Sequence, residues 1–144
     1  MFKSKIIGMG YSVPENIITN HDLSKIMDTS DDWIQSRSGI KERRWATDNV
    51  TTSDLAYEAC KQTIENSKIN PIDIDMIIVG TLSSDYFFPG VSAQLQEKLN
   101  LKNVGAFDIK AACSAFIYSI SIADQFIRTG AAKTILVDLS LIHI

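Results

Sequence analysis

Cys113 is the residue of this sequence whose type and surroundings best fit a chemical role. An apolar run, Val104-Gly105-Ala106-Phe107, leads into it as a buried strand would, and a helical pattern follows it from Ser114 to about Arg128. The pattern places Cys113 at a strand-to-helix turn, where unpaired backbone N–H groups and the helix dipole stabilise a thiolate. A thiolate there is a nucleophile. Because free cysteines are often small buried hydrophobic residues, a structural role is the alternative.

The second cysteine, Cys60, lies on the apolar stripe of a helix that the capping pair Thr51 and Asp54 predicts. We interpret Cys60 as a core residue. Two cysteines do not form a disulfide framework, and the sequence offers no ligand cluster for a metal ion. We therefore expect no metal site.

Composition and charge describe an ordinary globular protein. The chain has 144 residues, 45% of them hydrophobic and 22% charged, and a formal net charge of −3. This balance argues against a nucleic-acid partner, and the one basic cluster, residues 41–44, is interrupted by an acid. The sequence contains neither a signal-peptide core nor an apolar run long enough for a membrane span. We expect no membrane partner and a cytoplasmic location.

The order of the sequence patterns predicts an α/β fold. Strands are predicted over residues 3–9, 74–81, 104–109 and 133–137, with short extended segments at 17–19 and 40–45. Helices alternate with them, which is typical of a mostly parallel sheet. Asn20 is predicted to cap a short helix, and a second helix, containing Trp33 and Arg37, ends at Gly39. The helix after Cys113 is apolar almost all round, which predicts burial on every side.

Three adjacent aromatic residues lie in the predicted loop over residues 82–90, which we call the aromatic loop. Tyr86, Phe87 and Phe88 are followed by Pro89-Gly90. Aromatic side chains in a polar-flanked loop need burial, either in the protein's own core or against a partner.

Taken together, three runs of this sequence resemble the β-ketoacyl-acyl carrier protein synthase III family, which has the thiolase-like fold. They are Asp108-Ile109-Lys110-Ala111-Ala112-Cys113-Ser114-Ala115-Phe116, Thr29-Ser30-Asp31-Asp32-Trp33-Ile34 and Arg37-Ser38-Gly39-Ile40. The resemblance runs from about Lys3 to about Val137 and covers a little under half of the family's length. It implies that residues 1–137 form the N-terminal half of a thiolase-like domain. Residues 138–144 do not match the family and are interpreted as an anomalous tail.

The resemblance implies a chemical role for Cys113 as the acyl-accepting nucleophile. It would take an acetyl group from acetyl-coenzyme A as a thioester, which the carbanion from decarboxylated malonyl-acyl carrier protein then attacks. A thiolate attacks well, its thioester stays electrophilic, and backbone N–H groups at the turn can hold the oxyanion. The complete enzyme would be an acyltransferase that initiates fatty acid synthesis, with acetyl-coenzyme A as a substrate and no further cofactor.

The resemblance also assigns four binding residues. Trp33 matches the tryptophan that stacks on the adenine of coenzyme A, Arg37 its neighbour there, and Thr29 a residue that hydrogen-bonds the nucleotide end. Phe88 matches the aromatic residue that crosses a homodimer interface and closes the partner's acyl pocket. From the residues alone, Trp33 also fits a half-buried anchor, Arg37 a surface ion pair and Phe88 a core position.

The sequence departs from the family in two ways. The family drives decarboxylation with a histidine and an asparagine of its second half, but neither His21 nor His143 lies in such a motif. We therefore expect no complete condensation activity from this chain, although self-acylation of Cys113 is conceivable. Ala115 stands where the family usually has glycine, and the added methyl group could crowd the turn or the helix packing.

Two alternative functions stay open at this point. The chain could be a non-catalytic, truncated remnant, whose uncovered apolar helix faces would favour aggregation. It could instead belong to another thiolase-fold enzyme that condenses acyl-coenzyme A, such as one that makes hydroxymethylglutaryl-coenzyme A or a polyketide starter.

Overall fold

The computed structural model describes residues 2–140, which form two compact units. The smaller unit is Val13–Val50, and the larger unit contains the described residues before and after it. The strands are β1 Asn16–Thr19, β2 Glu42–Trp45, β3 Met76–Gly80, β4 Gly105–Ile109 and β5 Ile135–Leu139. The α-helices are α1 Asn20–Ser24, α2 Asp31–Ser38, α3 Thr52–Ser67, α4 Val91–Lys98 and α5 Ala115–Thr129. Within the described residues, no helix is both long and apolar enough to cross a membrane.

A parallel three-stranded sheet organises the larger unit. Strand β3 lies in the middle and pairs with β4 on one edge and with β5 on the other. Its residues Ile77, Ile78 and Val79 are fully buried, because helices cover both faces of the sheet. The predicted α/β architecture with a mostly parallel sheet is confirmed.

Helices α3 and α4 pack on one face of this sheet. Ala56 and Cys60 of α3 meet Val91 and Leu95 of α4 in one buried cluster with Ile77. The predicted capping pair is present: the Thr51 hydroxyl accepts from the backbone N–H of Asp54, whose carboxylate accepts from the Thr51 N–H. The prediction that Cys60 is a core residue is confirmed.

Helix α5 packs on the sheet through a narrow stripe of small residues. Ala115, Ser119 and Ala123 are buried at intervals of four residues. The prediction that this helix is buried almost all round is wrong for the described chain, since Ile117 is 61% exposed and Tyr118 is 55% exposed. The hydropathy of the sequence shows which residues of α5 are apolar. Burial also needs a second layer of structure over the helix, and none of the described residues supplies one on this face.

The predicted strand over residues 3–9 is not formed. This segment runs extended along the helices, held by hydrogen bonds such as the one from Asn66 Nδ2 of α3 to the Met9 carbonyl, 2.9 Å long. A groove of about 770 Å³ is lined by residues 4–12, by residues 134–140 and by α3 and α5. The strand-like composition of the segment is real, but a strand needs a paired edge, and it pairs with no described strand.

The smaller unit is organised around the buried side chain of Asn20. Its Nδ2 donates to Asp31 Oδ1 and to the Ile40 carbonyl, both at 2.7 Å, and its Oδ1 accepts from the Arg43 guanidinium at 2.7 Å. The predicted helix cap is therefore wrong in detail: Thr19 is the N-cap, and Asn20 is the first residue of α1. Strands β1 and β2 pair antiparallel, so the extended segments predicted at 17–19 and 40–45 are confirmed.

The carboxyl group of Asp138, on β5, is buried in the larger unit. Only 7% of this residue is exposed, and its Oδ2 has no hydrogen-bond partner in the described part of the chain. Desolvation raises the pKa of Asp138 to about 7. Burial, and then the nearby Asp138 charge, raise the pKa of the Cys60 thiol, so Cys60 is protonated and unreactive at neutral pH.

We predict that Asp138 makes the protein less stable as pH rises. Its folded-state pKa lies above the unfolded value, so the folded state binds the proton more tightly. The free energy of unfolding should therefore fall from about pH 4 to about pH 7, by up to roughly 4 kcal/mol, because each pH unit between the two pKa values contributes about 1.4 kcal/mol. Urea unfolding of the wild-type chain and of Asp138→Asn between pH 4 and 8 measures this. If the free energy of unfolding of Asp138→Asn fell with pH as steeply as that of the wild-type chain, the prediction would be contradicted.

Candidate functional site

Cys113 lies in a single 3-10 turn between a strand and a long helix. The turn is Ala112–Ser114, it follows β4 after two residues, and α5 begins directly after it. The predicted strand-to-helix location is confirmed, and the Cys113 side chain is exposed. Ala112, just before it, has φ 47°, a left-handed conformation that costs an alanine about 1–2 kcal/mol. The fold therefore holds the nucleophile candidate in a strained turn.

Two backbone N–H groups of this turn already donate hydrogen bonds within the turn. The Ser114 N–H donates to the Ala111 carbonyl at 3.1 Å, and the Ala115 N–H donates to the Ala112 carbonyl. These two donors serve the turn itself, so they are not free to hold an oxyanion unless those bonds open.

Ala115 fits the helix packing because it faces a glycine. It is 1% exposed, and a Cβ atom built on Gly80 of β3 would lie 2.8 Å from the Ala115 Cβ. The methyl group of Ala115 thus fills the space over Gly80. The pair sets how closely the start of α5 approaches the sheet, and with it the position of the Cys113 turn. Sequence reasoning did not single out Gly80, because its partner lies 35 positions away.

The aromatic loop presents its aromatic side chains to the outside. Phe87 is 96% exposed, Phe88 86% and Tyr86 62%. Among the described residues these side chains have little cover, so a core role for Phe88 does not fit. The Lys110 ammonium lies 5.4 Å from the centre of the Phe87 ring, which joins the loop to the segment that leads into the Cys113 turn.

The coenzyme A residues expected from the resemblance lie together in the smaller unit. Ser30 caps α2 by accepting from the Trp33 N–H at 3.1 Å, Thr29 directly precedes that cap, and Gly39, with φ 71°, ends the helix. The Arg37 guanidinium lies over the Trp33 ring, 4.4 Å from its centre. Trp33 is 54% exposed, which leaves much of the indole accessible to a ligand.

The five candidate residues are divided between the two units. Cys113 and Phe88 belong to the larger unit, whereas Thr29, Trp33 and Arg37 belong to the smaller one. Within the described chain, no three His, Cys, Asp or Glu side chains are grouped so that they could hold a metal ion. The roles of these five residues stay predictions.

Comparison with known proteins shows which family this chain is similar to. The family model for 3-oxoacyl-[acyl-carrier-protein] synthase III matches residues 107–139, a span that contains the Cys113 turn and α5. A β-ketoacyl-[acyl-carrier-protein] synthase III of Clostridium acetobutylicum is 53% identical over 133 residues, which is 92% of this chain and 41% of that relative. The chain matches the N-terminal part of the synthase III family.

Solved structures give the same result for the fold. The synthase III of Aquifex aeolicus superposes with a TM-score of 0.90 at 48% identity, covering 92% of this chain and 43% of that one. The priming β-ketosynthase of the R1128 polyketide pathway superposes with a TM-score of 0.89 at 28% identity, over 92% of this chain and 40% of that one. The predicted thiolase-like fold, in its N-terminal half, is confirmed.

The chain spans about two fifths of the length of the curated synthase III relatives that it matches. The family match and β5 both extend to residue 139, two positions past the boundary predicted at 137. That boundary and the tail assigned to residues 138–144 stay predictions. His143 and the other residues after 140 lie outside the described part of the structure.

We predict that Gly80 and Ala115 are energetically coupled. Gly80→Ala should destabilise the protein by about 1–3 kcal/mol, because the new methyl group meets the Ala115 Cβ. Ala115→Gly should be less damaging and should recover most of that loss in the double variant. Urea unfolding of the two single variants and the double variant measures the coupling. Strictly additive changes in the free energy of unfolding would show that the two residues are not coupled.

Proposed function

We propose that this chain is the N-terminal part of an acyltransferase that initiates fatty acid synthesis by condensing acetyl-coenzyme A with malonyl-acyl carrier protein. The observation that carries the proposal is the exposed Cys113, held in a strained turn at the start of α5 within a chain that matches synthase III. An accessible cysteine in a fixed turn is suited to nucleophilic catalysis, whereas the buried Cys60 is not.

In the proposed reaction Cys113 carries the acetyl group. Its thiolate attacks the carbonyl carbon of acetyl-coenzyme A, the new carbon–sulfur bond forms, and coenzyme A leaves as a thiolate that takes up a proton. Malonyl-acyl carrier protein then loses carbon dioxide, and the resulting carbanion attacks the Cys113 thioester. This gives acetoacetyl-acyl carrier protein and frees the Cys113 thiolate. The resemblance assigns the second step to a histidine and an asparagine of the family's second half.

Helix α2 carries the proposed contacts with coenzyme A. Trp33 is proposed to stack on the adenine ring, Arg37 to bind beside it, and Thr29 to hydrogen-bond the nucleotide end. The exposed indole and the adjacent guanidinium support this assignment, since an aromatic face and a cation suit a purine and its phosphates.

The proposed assembly is a homodimer in the cytoplasm. It uses acetyl-coenzyme A as a substrate and needs no cofactor. Phe88 is proposed to cross the dimer interface and to close the acyl pocket of the partner. The exposure of Phe87 and Phe88 supports this role, because large aromatic side chains are rarely left in water without a partner.

A second candidate is a related thiolase-fold enzyme with a different acyl preference. It is favoured by the likeness to the priming β-ketosynthase of a polyketide pathway, whose TM-score of 0.89 is close to that of the Aquifex synthase III. Rates of Cys113 acylation with acetyl- and longer acyl-coenzyme A would separate the two candidates.

We predict that incubation with acetyl-coenzyme A adds one acetyl group to the chain at Cys113. Intact mass spectrometry measures the gain, and peptide mapping locates it. Cys113→Ala should take up no acetyl group, and Cys60→Ala should react like the wild-type chain because Cys60 is buried. Absence of any gain in a folded wild-type sample would contradict the proposed function and favour the non-catalytic alternative.

We predict that Trp33→Ala weakens coenzyme A binding about tenfold, since loss of an aromatic stacking partner costs on the order of 1 kcal/mol or more. Trp45→Ala is the matched control, because Trp45 belongs to the same unit and is 40% exposed. Isothermal titration of coenzyme A into the three proteins gives the dissociation constants. Equal weakening by both substitutions would contradict the stacking role of Trp33.

A further inference from the structure

The carboxylate of Asp108 joins strand β4 to the start of helix α4. Its Oδ2 accepts from the Val91 N–H at 2.8 Å, and its Oδ1 accepts from the Ser92 N–H at 2.9 Å. These are the first two N–H groups of α4, which the N-cap residue, Gly90, cannot satisfy with a side chain. A carboxylate from another part of the sheet therefore takes the place of a local cap.

The approach of this carboxylate depends on Gly90. A Cβ atom at position 90 would overlap the Asp108 carboxylate, and all three of its nearest atoms belong to that group. Gly90 is also the last residue of the aromatic loop and is separated from Phe88 only by Pro89. The Asp108 carboxylate thus fixes the C-terminal end of the loop, two residues after Phe88.

The other end of the aromatic loop is held in a similar way. Asp85 accepts from the Ser53 N–H at the start of α3, at 3.2 and 3.3 Å, and the Thr52 hydroxyl donates to the Ser83 carbonyl. Between these anchors lie the exposed aromatic residues, with Lys110 over the Phe87 ring. Asp108 and Lys110 both belong to the segment that runs from β4 into the Cys113 turn.

We propose that Asp108 is a positioning residue that holds the aromatic loop in a fixed place beside the segment that leads into the Cys113 turn, and that it thereby sets the length of acyl chain that the pocket closed by Phe88 accepts. Asp108 is proposed to touch neither substrate nor reacting atoms and to act through the backbone N–H groups of Val91 and Ser92, directly after Gly90. The part that concerns acyl chains rests on the proposed function, whereas the part that concerns the loop does not.

Asp75 offers a matched control for the loss of the Asp108 carboxylate. It also accepts two backbone N–H groups, from Lys133 at 2.6 Å and Thr134 at 3.0 Å, but it precedes β3 and has no contact with the aromatic loop among the described residues. These bonds lower the pKa of Asp75. Asp75→Asn therefore removes the charge from the same kind of interaction elsewhere in the larger unit.

The first measurement is the rate of chymotrypsin cleavage after Tyr86 and Phe87, under conditions in which every variant is folded by circular dichroism. Asp108→Asn should raise this rate about tenfold or more relative to Asp75→Asn, since it frees the end of the loop. Gly90→Ala, which displaces the same carboxylate, should behave like Asp108→Asn and replaces it if that variant does not fold. Equal cleavage rates in the Asp108 and Asp75 variants would overturn the positioning role.

The second measurement compares the rates at which acetyl- and hexanoyl-coenzyme A acylate Cys113. Asp108→Asn should change the ratio of these rates about threefold or more, while Asp75→Asn leaves the ratio unchanged. Alkylation of Cys113 by iodoacetamide should proceed equally in all variants, because the cysteine itself is not altered. An unchanged ratio in Asp108→Asn would overturn the effect on chain length.

The two measurements keep the proposals separate. A wild-type chain that takes up no acyl group contradicts the proposed function and, with it, the chain-length role of Asp108. The cleavage rates still decide whether Asp108 positions the loop.

Discussion

The close approach of helix α5 to strand β3 is the constraint on which the candidate nucleophile depends. Gly80 presents no side chain to the helix, and Ala115 occupies the space with a single methyl group. Buried Ser119 and Ala123 continue the same narrow contact along the helix. Because the Cys113 turn is continuous with the first residue of α5, the position of its sulfur follows from this contact. A larger residue in the stripe would shift the helix, and the turn with it.

Carboxylates that accept from backbone N–H groups fix much of the remaining geometry in the larger unit. Asp54 completes the cap of α3, Asp85 binds the same helix end from the aromatic loop, and Asp108 caps α4 from β4. Charge-assisted bonds of this kind are stronger than neutral ones and hold the backbone rather than a flexible side chain. The loops between the elements are therefore anchored at defined points, which leaves the aromatic residues exposed on a rigid base.

In the smaller unit, one buried amide connects several segments of the chain. Asn20 uses both ends of its side chain to connect the start of α2, the Ile40 carbonyl and the Arg43 guanidinium. Hydrogen bonds from Asn20 and then Gln35 lower the pKa of Asp31, which keeps the first turn of α2 negatively charged as its dipole favours. The Trp33 ring and the Arg37 guanidinium that lies over it are thus carried on a helix whose start is fixed.

The sequence by itself determined the placement of Cys113 between a strand and a helix, the capping of α3 and the end of α2 at Gly39, because these depend on neighbours within a few residues. Tertiary structure decided that residues 3–9 lie unpaired, that α5 is exposed on one side, and that Asp108 caps a helix that begins 17 positions earlier. Pairing, burial and long-range capping each require two distant segments to meet. A local sequence pattern identifies groups that need such partners. The partners come together only in the folded chain.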